Sequence, residues 1–306
     1  MYTSAVGLFF FYIIHDALQE KAFRIEGFKF GWFMTSFEVA LMTICAALVE
    51  GASWTKAPRR EARVNLVCIA VLIALSHGLG NTALQYCSFP LKVAFKSSKL
   101  IPTMVLGLLI TGSRYTAVHY FAATLLCTGL FLLTVADVGS GTKHGLLGPA
   151  LLALATLFDS VVPNVQERVL RILEMPTVDM IFHSNWICLL ILFMVMTASG
   201  ELRNAIHFCS EHPEILTILV CQACAAYGGL RCYLAVIKDY GAVGGVILAN
   251  IRKVLTTCLS FMLFSKPFSA QHAGGLFLVA SGLFTLSREK MSKPKKGAVL
   301  PHVAHK

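Results

Sequence analysis

Five cations, Lys96, Lys99, Arg231, Arg252 and Lys253, lie inside stretches of the chain that are otherwise apolar. A Lys or Arg at the centre of a bilayer helix costs about 2.5–3.5 kcal/mol on insertion scales, so such residues call for a functional reason. Lys96 and Lys99 are three apart and share one helical face. Arg252 and Lys253 are adjacent and diverge by about 100° around a helix, so one can face inward while the other reaches a rim. Lys offers a mobile point charge to a phosphate and Arg a planar fork. Several such groups at mid-membrane fit a polyanionic small molecule, and nucleotides match that description. Aromatic rings beside such a site can stack a base, for about 1–3 kcal/mol in single-strand binders. Tyr86, Tyr227, Tyr233 and Tyr240 are available, although interfacial anchoring is the better account of each. The competing reading is internal ion pairing with Asp16, Glu38 and Asp159, but three acids cannot neutralise five cations. Arg231 reads as a rim residue.

The surroundings of these cations define the fold class. Hydrophobic residues make up 56% of the chain and charged residues 14%, against about 25% charge in soluble domains. Mean hydropathy is +0.70. These values exclude a disordered chain, a coiled coil and a nucleic-acid-binding module. They leave a polytopic membrane protein, all-α because backbone groups in lipid must be satisfied within each segment. Apolar runs predict ten transmembrane helices, over 4–20, 28–49, 64–85, 91–112, 116–136, 145–166, 179–199, 214–236, 241–264 and 269–287. The first run has no basic leader or cleavage site and reads as a span, not a removable signal. With the N-terminus in the cytosol, fourteen Lys and Arg fall on the cytosolic side and seven on the other. That bias places both termini in the cytosol, and the tail 289–306 reads as a basic cytoplasmic segment. The ten cysteines lie mostly in apolar runs and read as packing residues; Cys221-Gln-Ala-Cys224 has no second pair to make a metal site. No cofactor is called for.

The chain also repeats itself. Gln19-Glu20-Lys21 matches Gln166-Glu167-Arg168, Tyr86 and Lys99 match Tyr240 and Lys253, and Thr128-Gly129-Leu130-Phe131 matches Ser281-Gly282-Leu283-Phe284. The offsets are 147, 154 and 153, about half the chain. Five spans per unit is an odd number, so the second unit enters the membrane from the opposite side. The expected architecture is two inverted five-helix repeats, 1–140 and 141–288, as in many secondary transporters. The offset pairs Lys99 with Lys253 and Lys96 with Asn250, facing each other across a central site. Pro102 and Pro163 add kinks.

The run Val93-Ala94-Phe95-Lys96-Ser97-Ser98-Lys99-Leu100-Ile101-Pro102, with Arg252-Lys253, Lys266-Pro267-Phe268, Asn81-Thr82-Ala83-Leu84 and Asp159 plus Asn164-Val165-Gln166-Glu167, resembles the nucleotide-sugar transporters of the drug/metabolite transporter superfamily. Within them it is most similar to the branch carrying adenosine 3′-phosphate 5′-phosphosulfate (PAPS). The similarity spans roughly residues 4 to 290. It implies ten helices, residence in the Golgi membrane and antiport of a cytosolic activated nucleotide against a luminal nucleotide product. It also implies that Lys99, Arg252 and Lys253 contact the anionic part of the substrate. Lys96, Asn250, Asn81, Asn164, Gln166, Gln19 and His183 complete the candidate substrate-binding set.

The chain departs from that pattern at Ala249-Asn250, where threonines are usual, and at Pro163, where a glycine is usual. His15-Asp16 replaces an aromatic and a glycine, and His183-Ser184-Asn185 a tyrosine-rich triplet. These positions would read the base and ribose, so PAPS, a UDP-sugar and ATP all stay open as substrates. The partners implied are the nucleotide, its counter-substrate and the lipid bilayer, with a homodimer left open. An enzyme is disfavoured, since there is no His-Glu-x-x-His, no Gly-x-Ser-x-Gly and no acid cluster with metal spacing. A non-transporting sensor with a degenerate site is the remaining alternative.

Overall fold

Backbone groups that cannot reach water must bond within their own segment, and every regular element of this computed structural model is accordingly helical among the residues it describes, 2–51, 58–83, 86, 89–136, 146–263 and 270–288. The helices are α1 (Tyr2–Arg24), α2 (Gly31–Glu50), α3 (Arg60–Ala83), α4 (Phe89–Ser97), α5 (Leu100–Ile110), α6 (Ala117–Ala136), α7 (Leu147–Glu167), α8 (Thr177–Ser199), α9 (Glu201–Glu211), α10 (Glu214–Leu263) and α11 (Ala270–Arg288). Among the described residues, five segments are long and apolar enough to cross a membrane by length and composition: Gly31–Val49, Arg60–Gly80, Leu147–Ile172, Thr177–Ser199 and Glu214–Leu255. Leu100–Ile110, Ala117–Leu132 and Ala270–Leu286 are shorter apolar helices. The outer surface carries large apolar side chains: Leu48, Leu109 and Phe277 are 80%, 72% and 71% exposed. The segment 137–145 between the two expected repeats and the tail 289–306 lie outside the described residues.

Two features differ from the sequence-based expectation, and a third agrees with it. The run 91–112 is two helices, because Ser98 and Lys99 form a turn between α4 and α5. Pro102 has no N–H to offer the Ser98 carbonyl, so the helix restarts at Leu100 with proline in its first turn. The runs 214–236 and 241–264 are separated as expected: the segment α10 is two helices that meet at a kink at Gly241, with φ 82° and ψ 172°. That conformation is essentially restricted to glycine. Finally, α9 is an amphipathic helix of 11 residues, too short to cross a bilayer. It follows Gly200, whose φ of 74° ends α8. Its Glu201 Oε1 accepts the backbone N–H groups of both Trp32 and Phe33 at 3.0 Å. It thereby caps α2, whose own N-cap residue makes no side-chain bond.

Lipid tails are as apolar as a leucine side chain, so helices in a bilayer associate through close packing and hydrogen bonds. The packed pairs are α1 with α10, α3 with α7, α2 with α8, α6 with α11, α2 with α10 and α3 with α8. One core cluster joins α2, α3, α7, α8 and α10 through Ala46, Leu66, Ile69, Val165, Ile181 and Ile237. A second joins α5, α6, α10 and α11 through Met104, Leu126, Leu130, Val246 and Val279. Between these clusters lies the polar interior that holds the cations.

Candidate functional site

The turn at Ser98-Lys99 breaks the helix ladder in the protein interior, and the second part of α10 lies against it. Asn250 donates its Nδ2–H to the Ser97 carbonyl at 3.0 Å, so a backbone group at the break is satisfied by a side chain. Lys253 Nζ, one helical turn away, donates to Ser97 Oγ at 3.0 Å. Ser97 is fully buried and Asn250 is 3% exposed. On the other side of the turn, Lys99 Nζ pairs with Asp159 of α7 at 3.0 Å. Pro163 withholds the N–H that would bond the Asp159 carbonyl, which loosens α7 at this level. Asn164 re-ties it, donating Nδ2–H to the carbonyls of Thr103 (3.0 Å) and Ser160 (3.2 Å).

The charged groups form one neighbourhood. Lys99, Arg252, Asp159 and Lys96 all lie close enough for their charges to act on Lys253. Lys96 is half-buried and makes no ion pair with a carboxylate among the described residues. It senses Asp159, Lys99 and Glu38. His77 of α3 faces Lys96, Asp159, Lys92 and Lys99. Arg252, 9% exposed, pairs with Asp16 of α1 and stacks 5.0 Å over the Tyr12 ring. Asp16 also meets His15 Nδ1 at 3.1 Å, and His15 Nε2 meets Glu38 at 3.3 Å. Gln222 donates to Glu38 at 3.2 Å. Side chains of Asp159 and Glu38 remain 22% exposed.

Of the expected residues, Lys96, Lys99, Asn250, Arg252 and Lys253 are brought together. Asn250 and Asn164 commit their amide hydrogens to backbone carbonyls. The side chain of Asn81 lies outside the described residues, although its backbone continues α3. Gln19 is turned to Met34 Sδ at 3.8 Å, in the cluster where α1, α2, α9 and α10 meet. Gln166 is 6% exposed, and its Oε1 has no hydrogen-bond partner among the described residues. His183 is buried in α8 with its ring on edge to Phe182, 5.3 Å between centroids. Tyr86 and Tyr240 are each 41% exposed, as expected of interfacial anchors, whereas Tyr233 senses Asp159 and stands at the site. Internal ion pairing, the competing account of these cations, holds for two of them: Asp159 matches the charge of Lys99. Arg252 is likewise matched by Asp16, because α1 and α7 each carry a carboxylate to the lysine-bearing helix of the opposite half. His15, Glu38 and Gln222 were not foreseen as one network. The signal was present, since each is a polar residue in an apolar run.

The site offers cationic point charges to an anion, and pairs no nucleophile with a base among the described residues. The model of the UAA transporter family matches residues 1–290. The chain belongs to the UAA transporter family. Among curated relatives of this UAA chain, the adenosine 3′-phospho 5′-phosphosulfate transporter 2 of Drosophila melanogaster is 34% identical over 305 residues, covering 95% of this chain and 76% of the relative. The transporter of the same name in Homo sapiens is 34% identical, covering 92% and 71%. The UDP-galactose/UDP-glucose transporter 4 of Arabidopsis thaliana is 32% identical, covering 90% and 79%. A solved crystal structure shares the fold with a TM-score of 0.67 at 14% identity, covering 94% of this chain and 96% of its own. This UAA chain is a multi-pass membrane transporter of the nucleotide-sugar class, not an enzyme.

Proposed function

We propose that this protein is an antiporter that carries PAPS from the cytosol into the Golgi lumen in exchange for a nucleotide product. The observation that carries the reading is the convergence of Lys96, Lys99 and Lys253 on the turn at Ser97–Lys99, deep between helices drawn from both halves of the chain. Phosphate and sulfate groups are the ligands such a cluster suits, and Tyr233 offers a ring to the adenine. The relatives named as PAPS transporters support the substrate.

The transport cycle follows from ten spans in two inverted repeats with both termini cytosolic. The packing pairs support that architecture: under exchange of the halves, α1 on α10 corresponds to α7 on α3, and α2 on α10 to α8 on α3. The two halves rock about the fixed anion site. A cationic interior resists closure when empty and closes readily around either nucleotide, which gives exchange a physical cause. A second reading, a UDP-sugar carrier, is favoured by the Arabidopsis relative and by the Asp16–Arg252 pair, which lowers the cationic charge on offer.

Counterflow in proteoliposomes loaded with a panel of nucleotides tests both. PAPS taken up against adenosine 3′,5′-bisphosphate or a nucleoside monophosphate is the expected result. Exchange of UDP-sugars without PAPS overturns the substrate, and nucleotide binding without any exchange overturns the transport reading.

A further inference from the structure

Arg252 and Lys253 are neighbours in sequence with different surroundings. Lys253 reaches Ser97 at the broken turn, whereas the Arg252 guanidinium is gripped by α1, between the Asp16 carboxylate and the Tyr12 ring. Its side chain is 11% exposed. Asp16 is itself held from behind. One oxygen faces His15 Nδ1, and the other side of that ring faces Glu38, which also accepts from Gln222. Both ring nitrogens thus face carboxylate oxygens, and only an imidazolium can donate to both. The string Arg252–Asp16–His15–Glu38 alternates in sign along its length, so the guanidinium charge is matched within the protein.

We propose that Asp16 is a specificity-determining residue, which by pairing with Arg252 withdraws that cation from the anion site and makes the site discriminate against nucleotides of higher phosphate charge. The inference rests on the reading of the lysine cluster as the nucleotide site. Asp16 does not touch the ligand; it acts through Arg252. A unit charge a few ångströms from the phosphates of a partly buried site attracts each added phosphate charge in turn. Its removal therefore weakens the more highly charged ligands most.

The experiment measures the affinities of the full-length protein in lipid nanodiscs for the mono-, di- and triphosphates of adenosine and of uridine. Asp16→Asn is expected to raise the triphosphate-to-monophosphate affinity ratio about tenfold, because the freed guanidinium adds a charge to the site. The double variant Asp16→Asn/Arg252→Gln removes both members of the pair and is expected to return the ratio to that of the wild type. An unchanged ratio in a folded Asp16→Asn protein overturns the inference. So does a ratio below wild type in the double variant, because Arg252 would then be a ligand contact already. If Asp16→Asn does not fold, Asp16→Gly, which puts back the small residue usual at that place, carries the same expected rise, and an unchanged ratio in it overturns the inference equally. A wild-type protein that binds none of these nucleotides overturns the nucleotide reading itself, and this inference with it. Wild-type binding with ratios that ignore both substitutions overturns the inference only.

Discussion

Gly129 of α6 and Gly282 of α11 occupy matching places in one interface. A Cβ at Gly129 would stand 2.7 Å from the Gly275 carbonyl and 2.8 Å from Val279 of α11. A Cβ at Gly282 would stand 3.0 Å from the Ala122 carbonyl and 2.9 Å from Leu126 of α6. Ala122 and Leu126 precede Gly275 and Val279 by the same 153 residues that separate the two glycines. The contact is therefore self-complementary, residue for residue, as in a two-fold interface. Gly129→Val and Gly282→Val are each expected to destabilise the protein by about 1–3 kcal/mol through overpacking against backbone. Thermal unfolding in detergent checks this. Equal losses fit the two-fold relation, and tolerance of one valine but not the other counts against it.

Lys99 and Asp159 hold the α4–α5 turn against α7. Lys99→Ala strands a carboxylate in the interior, and is expected to lower stability by about 1–3 kcal/mol, less than for a fully buried pair because Asp159 stays 22% exposed. The double variant Lys99→Ala/Asp159→Ala is expected to regain most of that stability without regaining exchange. Unfolding and counterflow measured on the same preparations separate the two effects. A double variant no more stable than Lys99→Ala would rule out the pair as the tie between these helices.

Lys253 combines a charge with a hydrogen bond to Ser97, and the two contributions can be separated. Lys253→Ala is expected to weaken nucleotide exchange about 10–100-fold, the value of one charged hydrogen bond to a ligand. Ser97→Ala keeps the charge and removes a neutral partner, so exchange is expected to stay within about tenfold of wild type. Initial rates of counterflow across a range of nucleotide concentrations give the comparison. Equal losses in the two variants would mean that Lys253 serves the turn and not the ligand.

The parts of this arrangement that were legible in the sequence are chemical exceptions in an apolar background. Lysines inside spans and a duplicated small-residue motif stand out by type and spacing alone. The choice of partner was not legible. Asp16, Glu38 and Asp159 could all be named as acids near mid-span, but which cation each meets depends on the rotation of α1, α2 and α7 about their axes. A few tens of degrees would exchange the pairs. The turn at Ser98-Lys99 was legible only as a kink at Pro102, for a related reason. Its residues continue the helical pattern, and the break persists because Asn250 on a distant helix satisfies the Ser97 carbonyl. The same long-range bonding explains why Asn164 and Asn250, chosen for a ligand, bond the backbone instead. Helix α9 escaped notice because hydropathy finds segments that cross a membrane, and this one does not.

Gly241 and Glu167 together start the second part of α10. The Glu167 carboxylate accepts the Ala242 N–H at 2.8 Å and an Arg171 N–H at 2.7 Å, so a buried anion sits at a helix N-terminus with its own counter-charge. Gly241→Ala introduces strain twice. Its φ of 82° is unfavourable for any Cβ, and that Cβ would lie 3.0 Å from Glu167 Oε1. A loss of about 1–3 kcal/mol is expected from the backbone alone. Glu167→Ala removes the cap and is expected to cost about as much, since it leaves the Ala242 N–H and the Arg171 guanidinium without their acceptor. In the double variant the steric part of the alanine effect disappears, because the carboxylate it pressed against is gone, while the φ strain remains. The combined loss is therefore expected to be smaller than the sum of the single losses. Unfolding midpoints of the four proteins close that cycle. Strict additivity would show that the alanine Cβ never meets the carboxylate, and that the break at Gly241 is set by its backbone conformation alone.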